Sequence, residues 1–241
     1  MATTPINSKV SPALDPVTYQ SLEGFNDSNR GYVDDVISVM NDIYGTLGKL
    51  HEARALADSN PAWGENQKVL IVGAEAAKQK ERLATRLDRA QRDLASRIVQ
   101  TEKELSAPLA ARALGSINAE IRAHFKGLST AERSKLLREA LDANDEDTLA
   151  SVLGSKSFLS GISAVDQQHY SRLWNEKKNP ALVDRLDLMT RVRDMLDKSG
   201  ANGPVFHLAF EKVVGARPAD VSAIASANRA AVDALKIEPT V

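Results

Sequence analysis

From Gly31 onward, apolar residues recur in alternating steps of three and four: Val33, Val36, Met40, Ile43, Leu47, Leu50. Such steps keep side chains on one stripe of a helix, so the pattern predicts a helix over 31–57. Gly45 and Gly48 sit inside it, each costing about 1 kcal/mol against alanine, and mark a close backbone approach or a kink. Residues 58–64 read DSNPAWG, and Asn60-Pro61 with Gly64 breaks the helix. A second stripe then runs Leu83, Leu87, Ala90, Leu94, Ile98, Thr101, Leu105 and repeats after eleven residues. That repeat winds at about 3.67 residues per turn, so the stripe stays nearly straight. Its helix is expected from about residue 65 to 107, with Pro108 as its stop, and spans roughly 60 Å. Folded back through the 58–64 turn, the two helices form a long antiparallel, coiled-coil-like hairpin. Its seam sets Val36, Met40, Ile43 and Leu47 against Leu83, Leu87, Leu94 and Ile98. The first helix is shorter, so part of the second needs other cover.

Residues 1–30 show neither helical nor strand periodicity and carry Pro5, Pro12 and Pro16. Proline fixes φ and pushes its predecessor toward extended geometry, so an extended N-terminal arm is expected. Ile6, Val10, Leu14, Val17 and Tyr19 would dock it on a neighbour; the alternative is a loose terminus. After Pro108 the chain reads as short, well-punctuated helices. Ser129 and Glu132 form a capping box; Asn144 or Asp145 starts a two-turn helix closed by Gly154. Further helices are expected from Ser163 to about Lys178, from Pro180 to Lys198, around Phe206 and Phe210 to Gly215, and from Pro218 onward. The last presents Val221, Ile224, Ala225, Val232 and Leu235 on one side. The expected fold is therefore all-α: an extended arm (1–30), a long helical hairpin (31–107), a C-terminal bundle of short helices (108–236) and a tail (237–241).

Composition narrows the function classes. Aromatics are only 5% of the 241 residues, so alanine and leucine do the packing, which suits thin helical layers. Net charge is −1, so the whole chain has no pull toward nucleic acid or an anionic membrane. No cysteine occurs, which removes disulfides, thiolate metal sites and cysteine nucleophiles. The N-terminal residues lack the apolar core of a secretory signal. The longest aliphatic run is residues 69–72, far short of the roughly 20 residues that span a bilayer. A protein without a membrane span, in the cytoplasm, is expected.

Candidate chemistry is sparse. His51, His124, His169 and His207 are scattered, and His51-Glu52 lacks the second histidine of a zinc helix. The acidic run 142–147 (DANDED) fails the EF-hand pattern at its sixth and twelfth positions, which hold Asp147 and Leu153. It fits better as acids at the positive end of a helix. In LGSKSFLSG, Ser155 separates Gly154 from Lys156 and no strand precedes, so it is no phosphate loop. No nucleophile elbow or S-x-x-K pair occurs. No catalytic, cofactor-binding or metal residue is assigned, no cofactor is expected, and an enzyme is not.

One charged feature remains. At about 100° per residue, Lys78, Arg82, Arg86, Arg89, Arg92 and Arg97 form a band beside the second stripe. It could follow a phosphate backbone, or meet acids of the first helix or another subunit. Residues 1–66 carry nine acids and four bases, and equal-rise antiparallel packing sets Asp42 near Lys80 and Asp35 near Arg86. Without interleaved aromatics for base stacking, charge matching is the stronger reading, and nucleic acid a weak partner at most.

Residues 119–163 contain I-R-A-H at 121–124, the S-x-x-E-R cap at 129–133, and A-S-V-L-G followed by S-F-L-S-G at 150–161. This segment resembles parts of uncharacterised all-helical structural and assembly proteins of tailed bacteriophages. The resemblance implies a particle-associated protein, found in the virion and the host cytoplasm, and transfers no functional residues. The expectation is thus a noncatalytic structural or assembly protein acting in multiple copies, a bacteriophage virion component partnered by itself and other structural proteins. The alternative is a helical nucleic-acid accessory protein using the 78–97 stripe.

Overall fold

The computed structural model describes residues 8–113, 115–200 and 203–236, and among them no strand occurs. The protein is all-α. Its helices are α1 (Pro16–Gln20), α2 (Asp34–Asp58), α3 (Glu65–Arg112), α4 (Ser116–Gly127), α5 (Thr130–Ala143), α6 (Glu146–Leu153), α7 (Ser157–Ser160), α8 (Ala164–Lys178), α9 (Pro180–Ser199), α10 (Pro204–Val214) and α11 (Pro218–Ala234). Ile6 with the rest of 1–7, and the 237–241 tail, lie outside the described residues.

The chain forms two compact units, Met1–Ala95 with Thr190–Val241, and Ser96–Met189. The division falls inside α3 and α9, whereas the sequence set a boundary at Pro108. Pro108 does not stop α3: the helix continues to Arg112. Proline removes one N–H and crowds the turn before it, but Leu105, Leu109 and Ala113 around it are all buried, and that burial holds the helix together. The end comes where side chains take over the last carbonyls. Asn118 Nδ2 donates to the Arg112 carbonyl at 2.6 Å and Arg122 Nη1 to that of Ala113 at 3.2 Å.

In the first unit, all eight expected seam residues that lie there or in the neighbouring turn of α3 are buried, from Val36 and Met40 to Leu94 and Ile98. An ion pair between Asp42 of α2 and Arg86 of α3 ties the two helices together. α2 runs unbroken through Gly45 and Gly48, and a Cβ at Gly45 would meet nothing within 4 Å. Close approach is therefore not the reason for that glycine.

The extended arm is a correction. Residues 12–14 form a 3-10 turn, α1 follows, and both pack on α2, with the 3-10 turn also against α10. Leu14 and Tyr19 are fully buried, and Val10 nearly so. Asp15 caps α1 by accepting from the Val17 N–H at 2.9 Å, and Arg191 of α9 binds Glu23 through its carbonyl at 2.8 Å and its carboxylate at 2.9 Å. Pro12 and Pro16 start short helices instead, at the N-terminal position where a missing N–H costs nothing.

The second unit has its own core, in which Leu109 of α3 meets Phe125, Leu137, Leu149, Val152 and Trp174. α6 lies centrally, against α4, α5 and α8. Its buried Ser151 is 2.6 Å from Asn118 Oδ1, so one asparagine joins the end of α3, α4 and α6.

Candidate interaction surfaces

The basic stripe lies on the solvent side of α3. Lys78, Arg82, Arg86, Arg89 and Arg92 are exposed and Arg97 is half-buried. Arg92 pairs with Asp88 at 2.6 Å and Arg89 with Asp93 at 3.9 Å, each one turn along the same helix, while Arg82 binds Gln79 at 3.0 Å. Arg86 reaches the acidic helix, where it takes Asp42. That offset, six residues from Lys80, is about 9 Å of helix rise. Side-chain direction closes it. Cα–Cβ bonds lean toward the N-terminus of their own helix, so in an antiparallel pair Asp42 leans away from the turn and Arg86 toward it.

The acidic run 142–147 resolves into caps. Asn144 ends α5 with φ 54°, in the left-handed region. Asp145 caps α6, accepting from the Thr148 N–H at 3.0 Å and its hydroxyl at 2.6 Å. Glu146 is paired with Arg112 and with Lys178, the latter at 2.9 Å. Lys178 also lies over the Trp174 ring, 4.8 Å from its centroid.

The S-x-x-E-R cap and the S-F-L-S-G turn of the 119–163 segment belong to one joint. Ser129 and Glu132 complete their capping box. Arg133, the next residue, donates through Nε to the Phe125 carbonyl at 2.8 Å and through Nη2 to that of Lys126 at 2.9 Å. Its Nη1 binds the carbonyl of Gly161. A guanidinium thus closes the negative end of α4 and pins the S-F-L-S-G turn, whose Gly161 has φ +73° and faces that guanidinium. The phosphate-loop lookalike is a packing joint: a Cβ on Gly154 would overlap the Leu109 carbonyl oxygen and lie 2.7 Å from that of Ala150.

Among the described residues no group of three or more His, Asp or Glu is placed to hold a metal ion, and no helix is long and apolar enough to cross a membrane. His51 lines a groove of about 410 Å³ with Lys9, Lys212 and apolar residues of α10. Burial, then the charges of Lys9 and Lys212, hold its pKa below the ordinary histidine value.

These environments set the pH response. The Thr148 bonds acidify Asp145, the Lys178 bond acidifies Glu146, and the Ser129 bonds acidify Glu132. A carboxyl whose folded pKa is depressed stabilises the fold above its unfolded pKa, about 4. That stability is lost as pH falls through the folded value, because the unfolded chain takes the proton first. His51 acts in the same direction at higher pH, since its unfolded form protonates from about 6.5 downward. Melting temperature should fall in two stages on acidification, and His51→Gln should flatten the stage between about pH 7 and 5.5 while leaving the acid stage. An unchanged profile in that variant would remove His51 from the account.

Comparison with protein-family models, with curated proteins and with solved structures finds no match to this chain. The sequence reading missed the Arg133 joint, the apolar groove around Leu56 and the exposure of α11. The first had a signal, an arginine directly after a capping box; the other two depend on tertiary placement.

Proposed function

We propose that this chain is a noncatalytic helical structural or assembly protein that acts in multiple copies, as a component of a bacteriophage particle. The observation that carries the multi-copy reading is the apolar tip where α2 turns into α3. Leu56 is 73% and Ile71 44% exposed, and with Trp63 they border a groove of about 470 Å³. Single exposed apolar residues are ordinary, but a cluster around a groove favours a surface that another protein covers. The resemblance of residues 119–163 to phage structural proteins supports the particle setting. The noncatalytic reading is supported by the work of the densest polar clusters, since 142–147 caps helices and Arg133 holds carbonyls. The nucleic-acid alternative loses weight because Arg89 and Arg92 are paired within α3.

Light scattering across a concentration series tests this. The wild-type chain should associate, and Leu56→Glu with Ile71→Glu should shift it toward the monomer without lowering its melting temperature. A monomer at every concentration would sink the multi-copy reading. Tight DNA binding that weakens by about 0.9 log units per log salt for each phosphate contacted, and that Arg89→Ala with Arg92→Ala abolishes, would favour the alternative.

A further inference from the structure

The groove beside His51, about 410 Å³ in volume, is bordered by residues 8–12, α2 and α10, all within the unit formed by 1–95 and 190–241. Its walls are apolar: Val10 and Leu47 are buried beneath it, and Leu208, 59% exposed, forms an edge. Every charged or titratable residue that lines it is basic, namely Lys9, His51 and Lys212. The His51 ring donates to the Lys9 carbonyl, and the two charges that act on it, those of Lys9 and Lys212, are both positive. Residues 1–7, which precede this segment in the chain, contain no acid.

Two ammonium groups set beside an apolar wall repel each other more than in open water, and an anion between them relieves that repulsion. Sites for small ligands are concave, about 300–1,000 Å³ in volume, with mostly apolar walls and a few polar groups. This groove has that make-up, and its charged groups share one sign. Its volume lies near the lower end of the range, which favours a small ligand over a protein segment.

We infer that the groove binds a small amphiphile with one carboxylate head, the head held by Lys9 and Lys212 and the chain laid along Val10, Leu47 and Leu208. The lysines donate charge-assisted hydrogen bonds to the carboxylate oxygens. Each is a point charge on a flexible stem, so together they follow the head without demanding the fixed geometry of a guanidinium. The chain supplies the rest, because each buried methylene strengthens binding by up to about four-fold. A short anion lacks the apolar half of this match and a neutral alcohol lacks the charge. His51, one turn along α2 from Leu47, lines the groove and reports its occupancy. The inference stands independently of the multi-copy reading.

The chain has four histidines, so their ring-proton NMR signals can be followed while the full-length protein is titrated with sodium octanoate, with His51→Gln assigning one of them. Octanoate should move the His51 signal with half-saturation below about 1 mM and leave those of His124 and His169, which lie in the other unit. Hexanoate should bind about ten-fold more weakly, and acetate and 1-octanol, each lacking one half of the match, at least as poorly. Lys9→Met with Lys212→Met should weaken octanoate about ten-fold without lowering the melting temperature. Leu208→Asp, at an exposed position, should abolish binding and melt like the wild type. An unmoved His51 signal, equal affinity for octanoate and 1-octanol, or octanoate binding that the double lysine variant retains would overturn the inference. So would an acidic peptide that moves the His51 signal where octanoate does not, since the groove would then be a protein contact.

Discussion

Gly154→Ala should unfold or severely destabilise the 96–189 unit. Gly154 has φ −79°, a conformation that alanine adopts freely, so backbone strain is not the reason. Space is. The added methyl would overlap the Leu109 carbonyl oxygen and approach that of Ala150, and both are backbone atoms of helices that pack on the same core. A side chain could rotate away, but these carbonyls are held by the Ala113 and Gly154 N–H groups, at 3.1 and 2.9 Å. Overpacking of this kind costs about 3 kcal/mol where nothing can yield, or roughly 12–24 °C in melting temperature for a unit of this size. Gly127→Ala is the control: a Cβ there meets nothing within 4 Å, and the change should be neutral or slightly stabilising. Calorimetry of the two variants decides it, and matching melting curves would show that α6 and α3 do not meet as described.

Gly154 also shows what was legible in the sequence. That a glycine closes the helix after 146 could be read from its position; that it must be glycine could not, because the reason lies on Leu109, forty-five residues away. The same division holds elsewhere. The stripes of α2 and α3 were legible because helical periodicity is local, and the caps at Ser129, Asp145 and Ser163 because capping needs only neighbouring residues. Pro108 was misread as a stop because the burial that overrides it comes from residues of α4 to α8. The partner of Asp42 was misassigned because equal rise ignores the lean of the side chains. The candidate surfaces were least legible. Amphipathic periodicity identifies an apolar face on α11 but is silent on whether the fold covers it; Val232 and Leu235 are exposed.

Tyr19→Ala should destabilise the unit that contains α2 and α10, although the sequence around it reads as an extended arm. α1 is five residues long, too short to be stable alone, so it exists because its buried face is held. Tyr19 and Leu14 are fully buried, against α2 and α10, which pack with this segment. Truncating a buried aromatic side chain costs about 3–5 kcal/mol, from lost transfer energy and from the cavity left behind. Val17→Ala on the same short helix should cost far less, because Val17 is 51% exposed. The contrast separates an arm that docks elsewhere from a segment that completes the core. If the arm served only another subunit, both substitutions would leave melting unchanged and alter assembly alone. If it is part of the core, Tyr19→Ala lowers the melting temperature of the isolated chain at every protein concentration, and deletion of residues 1–20 lowers it further. Because the chain has two units, the loss should appear in one transition and leave the other in place. A full-length Tyr19→Ala protein that melts like the wild type would return residues 8–20 to the status of an arm.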